Sequence, residues 1–253
     1  MSNDARPIKA LVLAGGRGSR LEGVTDDKNK CMHEFRGQPL IEYSLQNAVR
    51  AGVSEIIIVV SYRAESIINH YGNQYGNTPV KYVIQWERKG LVHAIECCQE
   101  TIDGADFMIF LADEVLFEPR HEALITSFHE QDVFAICGVV EVTDLSQISK
   151  TYAIIYNEAD HRIFRLIEKP RNPINALMGT GNCVFRNEIF NYIPYTPINQ
   201  KRGEKELPDL IQCAVDDGRL VRYFDIGGTY VNINTGDDLE RLQRIESNGV
   251  AVA

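Results

Sequence analysis

The chain has 253 residues, 44% of them hydrophobic, and a formal net charge of −9. It is long enough to bury a sizeable core as one α/β domain, and its acidic balance argues against nucleic acid or an anionic membrane as the main partner, since either needs a basic surface. The six cysteines lack Cys-x-x-Cys spacing, no apolar run approaches the ~20 residues of a membrane span, and the N-terminus lacks a signal-type apolar stretch, so a reduced, cytoplasmic setting is expected.

The first predicted strand, Lys9–Leu13, breaks into Ala14-Gly-Gly-Arg-Gly-Ser-Arg-Leu21. Gly15, Gly16 and Gly18 let successive N–H groups converge with no Cβ in the way, and converging N–H groups bind anions. Arg17, Arg20 and the following Lys30 supply the charge that phosphate oxygens need. The loop lacks the Gly-Lys-Ser/Thr that closes a Walker A motif. It also runs into Glu-Gly-Val-Thr-Asp-Asp rather than directly into a helix, which argues against a dinucleotide fingerprint. The bland alternative is a tight turn with solvated arginines.

Next comes a helix over Pro39–Ala51, with Ile41, Leu45, Ala48 and Val49 on one face, Pro39 in its first turn and Gly52 as its stop. Strands follow at Glu55–Val60 and Val80–Ile84, the latter ending in Gln85, whose amide can both donate to and accept from a nucleobase edge. A helix is predicted over Gly90–Ile102; within it His93 reads as a packing or helix-terminus residue. The buried run Phe107–Leu111 leads to Asp113, with Glu114 beside it, where a carboxylate suits a hard ion such as Mg²⁺. Val133–Val140 is a further strand, and Tyr152–Tyr156 with Arg162–Glu168 reads as a hairpin. At its end, Glu168-Lys169-Pro170 offers an acid and a base for a hydroxyl and a phosphate. A helix over Gly203–Asp217, strands at Leu220–Phe224 and Thr229–Ile233, and a helix capped by Thr235 complete the pattern. Such β-α alternation predicts a Rossmann-like, three-layer α/β/α fold around an open, mixed, mostly parallel sheet that binds ligands at strand carboxyl ends.

Taken together, these segments resemble the sugar-1-phosphate nucleotidylyltransferases (NDP-sugar pyrophosphorylases), including the glucose-1-phosphate thymidylyl- and uridylyltransferases, over nearly the whole chain. The resemblance rests on Leu13–Leu21, Asn29-Lys30, Gly37-Gln-Pro-Leu-Ile-Glu-Tyr43, Gln85, Gly90-Leu-Val-His-Ala-Ile95, Ala112-Asp113 and Glu168-Lys169-Pro170. It implies one domain over 1–253, with a nucleotide-binding half to about residue 140 and an acceptor-phosphate half from about 141. It implies that Leu13, Ala14, Gly15, Gly16, Arg17, Gly18, Gln85 and Gly90 bind the nucleotide, that Arg20 and Lys30 are catalytic, and that Asp113 and Asn232 hold Mg²⁺. Tyr152, Glu168, Lys169 and Asn182 are then expected at the acceptor. Two departures stand out: Asn29 replaces the proline usual before the lysine, and Tyr230-Val-Asn232 replaces the Trp-x-Asp of the glucose-1-phosphate enzymes.

The reaction so implied joins a nucleoside triphosphate, with dTTP or UTP favoured and CTP an alternative, to a sugar 1-phosphate or similar phosphomonoester and releases pyrophosphate. Other readings are a cytidylyltransferase for a non-sugar phosphate, a nucleotide-sugar-binding regulator impaired in catalysis, and a nicotinamide-dependent dehydrogenase. The partners expected are the two small phosphorylated substrates, with neither nucleic acid nor membrane. The sequence leaves homo-oligomerisation, the base and the acceptor open.

Overall fold

A computed structural model describes residues 6–16 and 29–233, together with Gly236, Asp238, Glu240 and Leu242. In chain order its first half contains β1 (Lys9–Leu13), β2 (Glu34–Phe35), β3 (Gln38–Pro39), α1 (Leu40–Arg50), β4 (Glu55–Val60), α2 (Ala64–Tyr71), β5 (Gln74–Tyr75), β6 (Thr78–Ile84), α3 (Leu91–Glu96), α4 (Gln99–Ile102), β7 (Phe107–Leu111), β8 (Glu114–Leu116) and α5 (His121–Glu130). The second half adds β9 (Ala135–Glu141), β10 (Tyr152–Tyr156), β11 (Ile163–Glu168), β12 (Leu177–Phe185), β13 (Ile198–Asn199), β14 (Glu204–Lys205), α6 (Leu207–Asp216), β15 (Val221–Asp225) and β16 (Tyr230–Asn232).

Strands β6, β4, β1 and β7 lie side by side and parallel. The near-continuous apolar runs of β1, β4 and β7 suit strands buried on both faces, whereas β6, with Lys81 and Ile84 exposed, is only partly covered. Alternation then sorts the side chains. Ala10, Val12, Ile56, Ile58 and Phe110 point to one face, beneath Ile41 and Leu45 of α1, Ile67 of α2 and Leu124 of α5. Leu11, Ile57, Val59, Phe107 and Ile109 point to the other, beneath Val92 and Ile95 of α3, Ile102 of α4 and Leu210 of α6. The three-layer α/β/α architecture and the mixed, mostly parallel sheet are therefore as expected.

On the far side of β7 the sheet turns antiparallel. β12 pairs with β7, β9 and β10, β10 pairs with β11, and β15 runs parallel to β9. The sequence pattern does not mark β12, because Gly179-Thr-Gly-Asn182 interrupts its apolar run. The interruption is a bulge: Gly179 pairs with Val139 and Cys183 with Cys137, so Thr180, Gly181 and Asn182 stand opposite the single residue Gly138. A Cβ on Gly138 would come within 2.4 Å of the Asn182 carbonyl oxygen, so only glycine fits beneath the bulge.

Two predicted boundaries are corrected. The helix expected over Gly90–Ile102 is two helices, because the chain turns at Cys97-Cys98 between α3 and α4. The helix expected from Gly203 starts at Leu207, because residues 204–205 pair with 198–199 as a small hairpin and Pro208 belongs in a first turn. The capped helix expected from Thr235 is described only at four helical positions; Thr235 itself and the face residues Leu239 and Ile245 lie outside the described residues.

Candidate active site

β1 and β7 are neighbours, but the chain leaves β1 toward β4 on one side and β7 lies on the other, so their carboxyl ends open a crevice where the strand order reverses. The glycine loop follows β1 and Asp113 follows β7. Ala14 still bonds to the sheet, its N–H donating to the Val59 carbonyl at 2.8 Å, after which Gly15 and Gly16 leave it. Arg17, Gly18 and Arg20 lie outside the described residues. The chain returns at Asn29, which is fully buried. Its amide donates to the Tyr62 carbonyl at 2.7 Å, and its Oδ1 accepts from the Cys31 N–H at 3.1 Å, capping a short 3-10 turn. Asn29 therefore fixes the loop's exit by hydrogen bonds where the resembling family uses a proline ring. The next residue, Lys30, reaches across the crevice to Asp113, Nζ to Oδ2 2.5 Å. Leu13, Ala14, Gly16, Lys30 and Asp113 line one small hollow.

Gln85 extends the sheet by one bond past β6, its N–H donating to the Val60 carbonyl at 2.8 Å. The side chain is buried, with Nε2 3.0 Å from the Gly90 carbonyl and 3.0 Å from His93 Nδ1. Its Oε1 lies toward Gly15, 3.2 Å from where a Cβ there would stand. Gly90 itself has φ +91°, which an L side chain rarely adopts.

The strand β16 runs antiparallel to β8, with Asn232 opposite Glu114 and the Ile233 N–H donating to the Asp113 carbonyl at 2.9 Å. This ladder brings Asn232 beside Asp113, over a small core that includes Leu40, Val115, Phe117 and Val231. The carboxylate and the carboxamide present the hard oxygen donors that Mg²⁺ takes while keeping places for water and phosphate. They are two groups only: among the described residues no cluster of three or more His, Cys, Asp or Glu is placed to hold a metal.

Glu114 does not face the crevice as a second open carboxylate. It is buried, and burial pushes its carboxyl up to about 8 against the hydrogen bonds that favour ionisation. Its partners are the Tyr230 hydroxyl at 2.6 Å, the Gly181 N–H at 3.1 Å and the Asn182 amide at 2.8 Å. The other end of that amide meets His121 Nε2 at 2.9 Å. Asn182 is thus turned inward by the bulge, and its polar atoms are engaged with Glu114 and His121 rather than offered to an acceptor.

The remaining residues expected at the acceptor surround a cavity of about 190 Å³ between β10, β11, the bulge and the 198–206 segment. Tyr152 contributes a wall rather than a free hydroxyl, since its O–H donates to the Thr180 carbonyl at 3.1 Å. Glu168 and Lys169 line the cavity and pair with each other at 2.7 Å; Lys169 has φ +42° and its N–H donates to the Thr151 carbonyl at 2.7 Å. Arg202, which no sequence motif singles out, stands among three carboxylates, 3.0 Å from Glu206, 3.2 Å from Glu204 and 3.7 Å from Glu168. Burial and the nearby Glu168 push Glu206 upward. The available signal for this cluster is Pro208, which places the helix start after Glu206 and leaves 202–206 as a loop. A larger cavity of about 620 Å³, lined by Arg6, Arg186 and Arg219 among others, shares no residue with this site.

The chain has relatives among known proteins. Residues 9–241 match the family described as nucleotidyl transferase. The chain is 31% identical over 238 residues to the UTP–glucose-1-phosphate uridylyltransferase AglF of Haloferax volcanii, covering 94% of this chain and 96% of that protein. Among solved structures, a UDP-glucose pyrophosphorylase complexed with UDP-glucose superposes with a TM-score of 0.84 at 22% identity, covering 96% of this chain and 99% of that one. The inositol-1-phosphate CTP transferase of T. maritima superposes at 0.76 with 24% identity, covering 97% and 98%.

Proposed function

The chain belongs to the nucleotidyl transferase family, with sugar-1-phosphate nucleotidyltransferases as its relatives, and from that premise we propose a Mg²⁺-dependent enzyme that joins UTP or dTTP to a sugar 1-phosphate or similar polyol phosphate. An oxygen of the acceptor phosphate attacks the α-phosphorus in line. The bond from that phosphorus to the bridging oxygen of the β-phosphate breaks, and pyrophosphate leaves with the electron pair. The attacking phosphate is already ionised near neutral pH, so no general base is required; catalysis is positioning plus charge stabilisation.

The observation that carries the reading is the Lys30 to Asp113 contact at the mouth of the crevice, beside the glycine loop. Lys30 there meets the α-phosphate and the incoming phosphate, the N–H groups of Gly15 and Gly16 face the triphosphate, and Arg20 is assigned the departing pyrophosphate. Asp113 and Asn232 hold the Mg²⁺, which neutralises phosphate charge when bound. Lys169 and Arg202 bind the acceptor phosphate, and Glu168, Glu204 and Glu206 accept from its hydroxyls. The reading carries with it a division at about residue 140 into nucleotide and acceptor halves, and a cytoplasmic setting. No helix among the described residues is long and apolar enough to cross a membrane.

The decisive experiment sets five nucleoside triphosphates against a panel of phosphomonoesters and reads pyrophosphate release with magnesium present and after chelation. Release confined to UTP or dTTP with a sugar phosphate is the expected result. Tight nucleotide binding without release from any pair would favour the regulator instead.

A further inference from the structure

We propose that His93 is a specificity-determining positioning residue: it holds the Gln85 carboxamide so that a nucleobase meets its oxygen and not its nitrogen. The inference rests on the reading of Gln85 as the base-facing residue.

Hydrogen-bond capacity fixes which amide atom lies where. The Gly90 carbonyl can only accept, so the amide atom 3.0 Å from it is the nitrogen. That nitrogen has two hydrogens, and the second points to His93 Nδ1, also 3.0 Å away. Nδ1 accepts here, which makes His93 the neutral tautomer with its proton on Nε2. Both donors of Gln85 are thereby engaged inside the protein. What remains is Oε1, and it is the atom that lies toward Gly15 at the glycine loop. Among the described residues, the N–H groups of Gly15 and Gly90 donate to no acceptor. The site thus offers an acceptor at Gln85 with backbone donors at the residues on either side of its amide.

An imide edge, a ring N–H between two carbonyls, complements that set. Uracil and thymine have such an edge. Cytosine presents a bare ring nitrogen at the central place, where two acceptors would face each other, and a buried mismatch of that kind is costly. Without His93 the second amide hydrogen has no internal partner, and the Gly90 carbonyl is left as the single contact that resists rotation of the carboxamide, so the preference for oxygen toward the base is weakened. His93 touches no substrate in this scheme; it acts through Gln85. Its place one turn into α3, on the helix that Gly90 begins, keeps it in register with the carbonyl that takes the first hydrogen.

The test is calorimetric titration of the full chain with UTP and with CTP, in magnesium, for the wild type, His93→Leu and His93→Asn. The wild type is expected to favour UTP. His93→Leu should narrow the ratio of the two dissociation constants by about tenfold, roughly one hydrogen bond, whereas His93→Asn, whose Oδ1 can accept the same proton, should keep most of it. A merely structural role would weaken both nucleotides together and leave the ratio alone. An unchanged ratio in His93→Leu, or no preference in the wild type, would overturn the proposal. If His93→Leu does not fold, His93→Met supplies the same apolar replacement. Pyrophosphate release by the same proteins separates this inference from the transfer reading. A wild-type preference that His93→Leu narrows, without release from any protein, removes the latter alone, and release with a UTP to CTP ratio unaltered by His93→Leu removes the former alone.

Discussion

The ammonium of Lys30 sits 2.5 Å from a carboxylate oxygen of Asp113, although 83 residues separate them along the chain. Each closes the other's charge in a place where little water reaches, the side chains being 8% and 27% exposed. Cutting one partner of such a pair strands the other. Lys30→Ala and Asp113→Ala are each expected to lower turnover by ~10²-fold or more, measured as pyrophosphate release at saturating substrates. In urea melts, the double variant Lys30→Met with Asp113→Asn should be more stable than Lys30→Met alone, because no buried charge is then left single. Near-wild-type release in either alanine variant would remove both residues from the reaction.

Arg202 should separate the two substrates. Its guanidinium is held by Glu204, Glu206 and Glu168 at the acceptor cavity. Arg202→Met keeps the stem and removes the charge, so the acceptor's KM is expected to rise about tenfold or more while the triphosphate's KM stays within about twofold. Equal rises for both substrates would mean that Arg202 only supports the fold.

Gly90 is fixed by two independent requirements. Its φ is +91°, and a Cβ there would lie 2.2 Å from Glu204 Oε2 and 2.7 Å from Glu204 Cβ. Gly90→Ala is therefore expected to cost about 2 kcal/mol or more in urea denaturation. Combining it with Glu204→Gly should return the part due to the collision and leave the part due to backbone strain. A double variant no more stable than Gly90→Ala would assign the whole cost to φ.

His121 makes stability depend on pH. Burial pushes its imidazole down to about 4 from an ordinary 6.5. Between those values the unfolded chain holds a proton that the folded chain does not, so stability is full above pH 6.5 and is lost as the pH falls toward 4, by up to about 3 kcal/mol. Gln at this position can still bond to Asn182 but cannot titrate. Urea melts at pH 4.5 and pH 7 should show a larger acid loss in the wild type than in His121→Gln, and equal losses would mean that the ring titrates normally.

The nucleotide side of the site is legible in the sequence because parallel strands announce themselves. The apolar runs of β1, β6 and β7 stop abruptly, and the glycine loop, Gln85 and Asp113, one after each stop, fall at the same edge of the sheet. The acceptor side is harder to read. There the strands are antiparallel and bulged, so Thr180 to Asn182 scramble the alternation that would mark β12, and Asn182 turns inward where a regular strand gives no reason to expect it. Glu114 looks like a companion to Asp113 in the sequence, yet only the antiparallel pairing of β8 with β16 shows that Tyr230 and Asn182 cover it. Arg202 is hidden by its closeness to the helix predicted from Gly203, which in fact begins later. The contact of Gln85 with His93 has no sequence signature at all, since it depends on a turn that brings the start of α3 back over the end of β6.

The bulge over Gly138 has a consequence for how such an enzyme changes. The inner wall of the acceptor cavity, at Thr180 and Gly181, is shaped by how many residues separate Gly179 from Cys183, and a change in that count requires an insertion or deletion in a core strand. On the proposed reading the base, by contrast, is met by the Gln85 carboxamide, which His93 contacts at 3.0 Å. If that reading holds, the choice of nucleotide lies within reach of point mutation in this chain, while this wall of the cavity changes only with the length of a strand.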